Sequence, residues 1–238
     1  MVWLAGVDGC PGGWMVALVR ADSGEPRLCV VPRFADVAAG PEAAAIIAVD
    51  IPIGLPERCG PGGRAAESAV RPLLGARQSA VFPVPARAAV YAESYRDACT
   101  LALQTSDPPR KVSRQLFMIA PKIREVDEAL RADTALARRV FEVHPELAFW
   151  RLNGGQSLPE PKKVKGRPYG PGLILRRGLL AAAGLAAPEQ APRGAGPDDV
   201  LDALACAAVA RRIHAGLARP FPDPPPRDGF GLPMAIWA

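Results

Sequence analysis

Histidine, cysteine and lysine are all scarce in this chain, and each scarcity narrows what it can be. There are two His and five Cys in 238 residues. The cysteines, at 10, 29, 59, 99 and 206, are odd in number and form no CxxC pair. Neither a disulfide framework nor a zinc knuckle is expected, and the expected compartment is the reducing cytoplasm. No apolar run nears the ~20 residues of a membrane-spanning helix, so no membrane partner is expected. Met1 to Asp8 lacks the basic and long apolar stretches of a secretory signal. Three familiar signatures are also missing: the dinucleotide fingerprint, the GxxxxGK[ST] phosphate loop and the GxSxG nucleophile elbow.

What remains is an ordinary globular composition, 49% hydrophobic and 22% charged, for one domain over residues 1–238. The 29 basic and 24 acidic residues leave a net charge of +5. Only five of the basic residues are Lys, and with abundant Ala, Gly and Pro this indicates composition bias rather than a nucleic-acid signature. Apolar runs over 2–8, 14–19, 28–31, 45–51 and 140–144 predict strands. The first two, joined by Gly9-Cys10-Pro11-Gly12-Gly13, predict an antiparallel hairpin. Helical spacing is expected over 34–45, 64–74, 93–103, 113–130, 173–185 and 200–217, with a break at Pro121. The expectation is an α/β sheet flanked by helices, with a helical insertion at about 57–139 and a proline-rich C-terminal strap at 219–238.

Certain carboxylates stand where an acid is costly. Asp50 interrupts Ile46-Ile47-Ala48-Val49 and Ile51-Pro52-Ile53, and an ionised group there needs a cation or donors. Asp8 ends an apolar strand before the glycine turn, where a turn-forming role is, taken alone, the favoured reading. Asp198 and Asp199 suit a helix N-terminus behind Pro197. Asp202 lies one turn further in among Leu201, Ala203, Leu204 and Ala205, and its crowding with Asp199 has the character of a metal site. On a strand, Glu142, His144 and Glu146 would alternate onto one side. An all-oxygen set of this kind suits Mg²⁺ or Mn²⁺ better than zinc. Residues 151–178 hold seven basic side chains (Arg151, Lys162, Lys163, Lys165, Arg167, Arg176 and Arg177) against one acid, Glu160.

Several long motifs carry a family likeness. They are Val7-Asp8-Gly9-Cys10-Pro11-Gly12-Gly13-Trp14, Val49-Asp50-Ile51-Pro52-Ile53-Gly54-Leu55-Pro56 and Ser79-Ala80-Val81-Phe82-Pro83-Val84-Pro85-Ala86-Arg87. Further along come Ile119-Ala120-Pro121-Lys122-Ile123-Arg124-Glu125-Val126-Asp127, Glu142-Val143-His144-Pro145-Glu146, Lys162-Lys163 and Asp198-Asp199-Val200-Leu201-Asp202-Ala203-Leu204-Ala205. Together they resemble domain-of-unknown-function family 429, described as predicted nucleases of ribonuclease H-like fold. The chain departs from that pattern at Ala80, where a second serine is usual, and over Arg64–Arg71. The resemblance implies a mixed five-stranded sheet, its first three strands antiparallel, with acids at the first strand, the fourth strand and a late helix.

By position those acids are Asp8, Asp50, Asp199 and Asp202, the expected metal ligands. The implied chemistry is two-metal hydrolysis of a phosphodiester by Mg²⁺ or Mn²⁺. Asp8 would bridge both ions, Asp50 and Asp202 would each hold one, and Asp199 would complete the shell. Glu142, His144 or Glu146 would relay protons. Lys122, Lys162, Lys163 and Lys165 are the substrate-binding candidates, for nucleic acid or a small phosphorylated molecule. The alternatives are an actin-like or sugar-kinase-type phosphotransferase and a binding module of the same fold that has lost catalysis. Cys10 as a nucleophile carries little weight, because neither His is tied to it.

Overall fold

In the computed structural model, which describes residues 1–22 and 25–238, the first eighty residues build most of one sheet. Strand β1 (Trp3–Cys10) turns back into β2 (Gly13–Arg20), and β3 (Arg27–Val31) follows. A short helix α1 (Phe34–Ala38) leads to β4 (Ile46–Val49). The fifth strand, β5 (Val140–Glu142), arrives only after a long helical excursion. The sheet order is β3-β2-β1-β4-β5. The β1–β2 and β2–β3 pairs are antiparallel, whereas β4 runs parallel to β1 and β5 parallel to β4. The orientation therefore changes at β1, which sits in the middle of the sheet. An α/β sheet flanked by helices is what the residues predict, and its five mixed strands are what the family resemblance implies.

Both faces are covered, which is why β1 and β4 are almost continuously apolar. Ala5 and Val7 of β1, with Ile47 and Val49 of β4, join one core. Leu4 and Ala48 join the other. Trp14 anchors the first core edge-on to Phe34 at 5.5 Å between ring centroids, and its indole N–H donates to Glu125.

The excursion between β4 and β5 covers that first core. It comprises α2 (Ala65–Val70), a 3₁₀ stretch (Arg71–Ala80), α3 (Arg87–Val90), α4 (Tyr95–Thr105), α5 (Arg114–Ala132) and α6 (Thr134–Ala137). Helix α5 continues through Pro121 instead of breaking there; the proline lies on the exposed side of the helix. Beyond β5 come α7 (Pro145–Leu152), a two-stranded hairpin of β6 (Lys163–Val164) and β7 (Arg167–Pro168), α8 (Gly170–Ala182) and α9 (Pro197–His214). The strap pairs β8 (Pro220–Phe221) with β9 (Ile236–Trp237). No helix among the described residues is long and apolar enough to cross a membrane.

Helix α9 forms the second core against the sheet, and its small residues allow an unusually close approach. A Cβ on Gly6 of β1 would lie 2.1 Å from both the Ala203 carbonyl oxygen and the Ala207 nitrogen. Only glycine permits this packing of helix backbone on strand, and it brings the first turns of α9 beside the end of β1.

Candidate functional site

Side-chain parity brings three acids to one place. In β1, Leu4 and Gly6 face α9, so Asp8, two residues on, faces α9 too. In β4, Ala48 faces α9, and Asp50 follows it by two. Val7 pairs in parallel register with Val49, and the Asp50 N–H donates to the Val7 carbonyl, so Asp8 and Asp50 end neighbouring strands side by side. Asp202 comes down from α9 and is 2% exposed. The three acids stand on one face of the sheet, at the C-terminal ends of its two central parallel strands.

Their electrostatics show how close they are. Burial, then the charges of Asp202 and Asp50, hold the Asp8 carboxyl well above its ordinary range. Burial and Asp202 push Asp50 up to about 8. The cation that meets them is Lys162, whose ammonium is bonded to Asp202 Oδ2. Burial by itself would lower the Lys162 pKa, but Asp202, Asp8 and Asp50 outweigh it and raise it. Three carboxylates thus share one ammonium. Of the three buried carboxylate oxygens without a hydrogen-bond partner among the described residues, Asp202 Oδ1 and Glu146 Oε2 belong to this group, and Asp127 Oδ1 lies in the helical insertion.

A cleft of about 420 Å³ opens over this group, lined by Asp8, Asp50, Glu146, Lys122 and Lys162 on its polar side. The facing wall is apolar and comes largely from the helical insertion, through Val81, Phe82, Val84 and Ile119, with Ile236 of the strap. This is the size of a small-ligand pocket.

Glu142, His144 and Glu146 also line this cleft, each reaching it from a different element. Glu142, His144 and Glu146 do not alternate along one strand, because β5 ends at Glu142 and Pro145 opens α7. Glu142 pairs with Val49 and so points to the face opposite Asp50. There Arg64 binds both of its oxygens and the Ile53 N–H donates to Oε2 at 2.7 Å. His144 is the N-cap of α7: its Nδ1 accepts from the Glu146 N–H at 3.2 Å, which leaves Nε2–H to face the Ala80 carbonyl at 3.3 Å. Desolvation lowers its pKa to about 4, so the imidazole is neutral. Glu146 Oε1 accepts from Arg176 at 2.6 Å, and Arg176 is wholly buried.

Asp199 satisfies the start of α9, accepting from the Gly196 N–H at 2.8 Å, and Asp198 pairs with Lys163 at 2.5 Å. The helix-terminal role that Pro197 suggests thus accounts for Asp199. Burial raises its carboxyl. Lys122 donates to the Gly13 carbonyl and lies over the Trp14 ring, 4.5 Å from its centroid. Lys165 is exposed at the turn of the β6–β7 hairpin. Of the basic run, Lys162, Lys163 and Arg176 are engaged with acids, while Lys165 and Arg167 are exposed. Burial raises the Cys10 thiol pKa, keeping it protonated and a poor nucleophile.

Sequence reasoning missed the counter-ions Arg64 and Arg176. Arg176 did leave a signal: it sits three after Leu173 and four before Leu180, on the stripe that α8 buries. Arg64 lies in a glycine-rich loop start and left none. The two long motifs of the insertion prove to be a clamp. Glu125 accepts from Trp14 Nε1 and the Phe34 N–H, Arg124 donates to the Val90 and Ala92 carbonyls, and Asp127 accepts from Arg87 and Tyr91. Arg87 also donates to Asp228 of the strap at 2.7 Å. These bonds hold the apolar wall of the cleft against the sheet.

The residues present suit a hard divalent cation. Asp8, Asp50 and Asp202 offer carboxylate oxygens, their charge exceeds that of Lys162, and two buried oxygens are unpartnered. Among the described residues no three such side chains form a ready-made cage. A Mg²⁺ site of one or two carboxylates, completed by water and substrate phosphate, needs none. Compared with known families, residues 6–227 match the family described as protein of unknown function DUF429. Neither the curated proteins nor the solved structures include a match.

Proposed function

We propose that this chain, a member of the family of unknown function 429, is a Mg²⁺- or Mn²⁺-dependent hydrolase of phosphodiester bonds, built on a ribonuclease H-like sheet and working in the cytoplasm. One observation carries the reading: Asp8, Asp50 and Asp202 meet on one face of the sheet with only one ammonium among them. Acids at the ends of β1 and β4, answered by an acid from a late helix packed on β1, support the ribonuclease H-like assignment.

Asp8 and Asp50 would hold the ion, which supplies activation of water and stabilisation of negative charge on a phosphate oxygen. The chain's own groups do the rest. Lys162 presents positive charge where a phosphate would enter. Glu146, its Oε1 anchored by Arg176, keeps Oε2 free inside the cleft to take or give a proton. Glu142 and His144, whose hydrogen-bonding groups are already engaged, hold the floor of the cleft in place. The apolar wall of Val81, Phe82 and Ile119 excludes water from one side.

One observation favours a small phosphorylated substrate over a polymer. Of the expected polymer contacts, Lys163 is paired with Asp198 and neither it nor Lys165 lines the cleft, which is of small-ligand size. The test is hydrolysis of bis-p-nitrophenyl phosphate, mononucleotide esters, and single- and double-stranded DNA and RNA, each with Mn²⁺, Mg²⁺ or EDTA. Metal-dependent cleavage of any of these that Asp50→Asn abolishes is the expected result. Phosphoryl transfer from ATP to an acceptor would point to the phosphotransferase. No turnover and no metal binding would leave a binding module.

A further inference from the structure

Lys162 does not sit in the cleft as a flexible surface lysine does. Its backbone is fixed on both sides: the Tyr169 N–H donates to the Lys162 carbonyl at 2.9 Å, and Arg176 Nη1 donates to the Glu160 carbonyl at 2.9 Å. Helix α8 packs against this segment at Gly172, where a Cβ would lie 1.9 Å from the Pro161 carbonyl oxygen. Lys163 ties the next residue to Asp198. The ammonium is thereby delivered to Asp202 Oδ2 by a built segment, and Asp8 and Asp50 face it as well.

Charge then limits what else the group accepts. With all three carboxyls deprotonated, as holding an ion requires, Asp8, Asp50 and Asp202 carry three negative charges against one positive on Lys162, since Glu146 and Asp198 are matched by Arg176 and Lys163. One divalent cation brings the set to neutrality; two would leave it with a surplus of two positive charges. A second observation, separate from the charge count, points to an added ligand. Asp202 Oδ1 and Glu146 Oε2 are buried without partners, in residues 2% and 5% exposed, and such atoms call for an ion or its water.

From this we infer that the cleft takes a single divalent cation, on Asp8 and Asp50, and that the Lys162 ammonium on Asp202 fills the place of a second ion. This rests on the metal-dependent reading above and departs from the two-ion arrangement expected from the acids alone. Asp202 then positions Lys162 through Oδ2 and offers Oδ1 to the ion's water.

The experiment is calorimetric and spin-resonance titration of the full chain with MnCl₂, in wild type, Lys162→Met, Lys162→Arg and Asp50→Asn, with thermal melts to check folding. Wild type is expected to bind one Mn²⁺ and to show no spin-coupled pair. Removing a unit charge so close to the ion, in Lys162→Met, should tighten binding at least ~10-fold or admit a second ion. Lys162→Arg should stay within ~3-fold of wild type, since the charge is kept. Asp50→Asn should abolish binding. Two Mn²⁺ in wild type, or a spin-coupled pair, overturns the inference while sparing the metal-dependent reading, and that result needs no variant to fold. A folded Lys162→Met with unchanged affinity and stoichiometry overturns it as well. Absence of Mn²⁺ binding in both wild type and Lys162→Met removes the metal reading and the inference together.

Discussion

Two buried ionic clusters lie within one cleft, and they are opposites. Around Arg64, one guanidinium meets Glu67 and Glu142, and every oxygen of Glu142 is bonded. Arg64 also donates to the carbonyls of Ile53 and Gly54, tying the loop after β4 to the insertion. Around Lys162, three carboxylates share one ammonium and Asp202 Oδ1 is left over. The first cluster is nearly balanced and fully bonded, as a structural network is. The second is short of positive charge and of donors, as the proposed metal site requires. Burial and acidic residues are common to both, so neither of those alone identifies function. The difference lies in the bonds left unmade.

The largest expected effect comes from breaking the bonded cluster. Arg64→Met leaves Glu67 and Glu142 buried without their cation, and should cost about 3–5 kcal/mol of unfolding free energy. The midpoint of urea unfolding, followed by circular dichroism, measures it. A loss under about 1 kcal/mol would show that the two clusters are not different in kind.

Asp50→Asn attacks the other cluster and should change stability in the opposite sense. Without metal, at a pH above about 8 where Asp50 is ionised in the fold, the variant is expected to be as stable as wild type or about 1 kcal/mol more stable, because a crowding charge is gone. Its hydrolytic activity should fall at least ~100-fold. A large drop in melting temperature in EDTA would instead make Asp50 a structural acceptor.

The smallest effect is in the pH dependence. Asp50 titrates near 8 in the fold and near 3.8 unfolded, so the folded chain holds a proton that the unfolded chain has lost. A carboxyl raised in this way stabilises the fold below the unfolded value, and that contribution disappears as pH rises through the folded one. His144 has the opposite sign, being lowered from 6.5 to about 4, but above pH 6.5 it is neutral in both states. Glu142, which burial pushes to about 7 against the pull of Arg64, adds to the carboxylate effect. In EDTA the melting temperature should therefore fall by a few degrees from pH 6.5 to 8. Saturating Mn²⁺ should flatten that slope, since the ion replaces the proton, and Asp50→Asn should reduce it. A slope unchanged by Mn²⁺ would show that the ion does not bind at these acids.

The strands were legible because their apolar runs are short and punctuated by glycine and proline, as in Val2–Asp8 and Ala45–Ile51. Asp50 and Asp202 stood out for a related reason: an acid inside an apolar run is visible without a structure. Glu142, His144 and Glu146 do line the cleft, but not by strand alternation, since a one-residue alternation says nothing about where a strand ends, and Pro145 starts a helix there. The lysines misled differently. A run of positive charge looks the same whether it faces solvent or pairs with acids forty residues away in the chain, as Lys162 does with Asp202.

The amino-acid sequence by itself determined the five sheet strands, the longer helices, the family and the unusual acids, because these depend on local periodicity and on the cost of placing charge among apolar neighbours. Only the tertiary structure decided which acids are spent and which remain open. That outcome depends on parity in β1 and β4, on the bare backbone contact that Gly6 allows with α9, and on a lysine delivered by a segment packed at Gly172. Each is a matter of which distant groups come within hydrogen-bond reach. Coulomb attraction and desolvation act over those few ångströms, and spacing along the chain does not encode them.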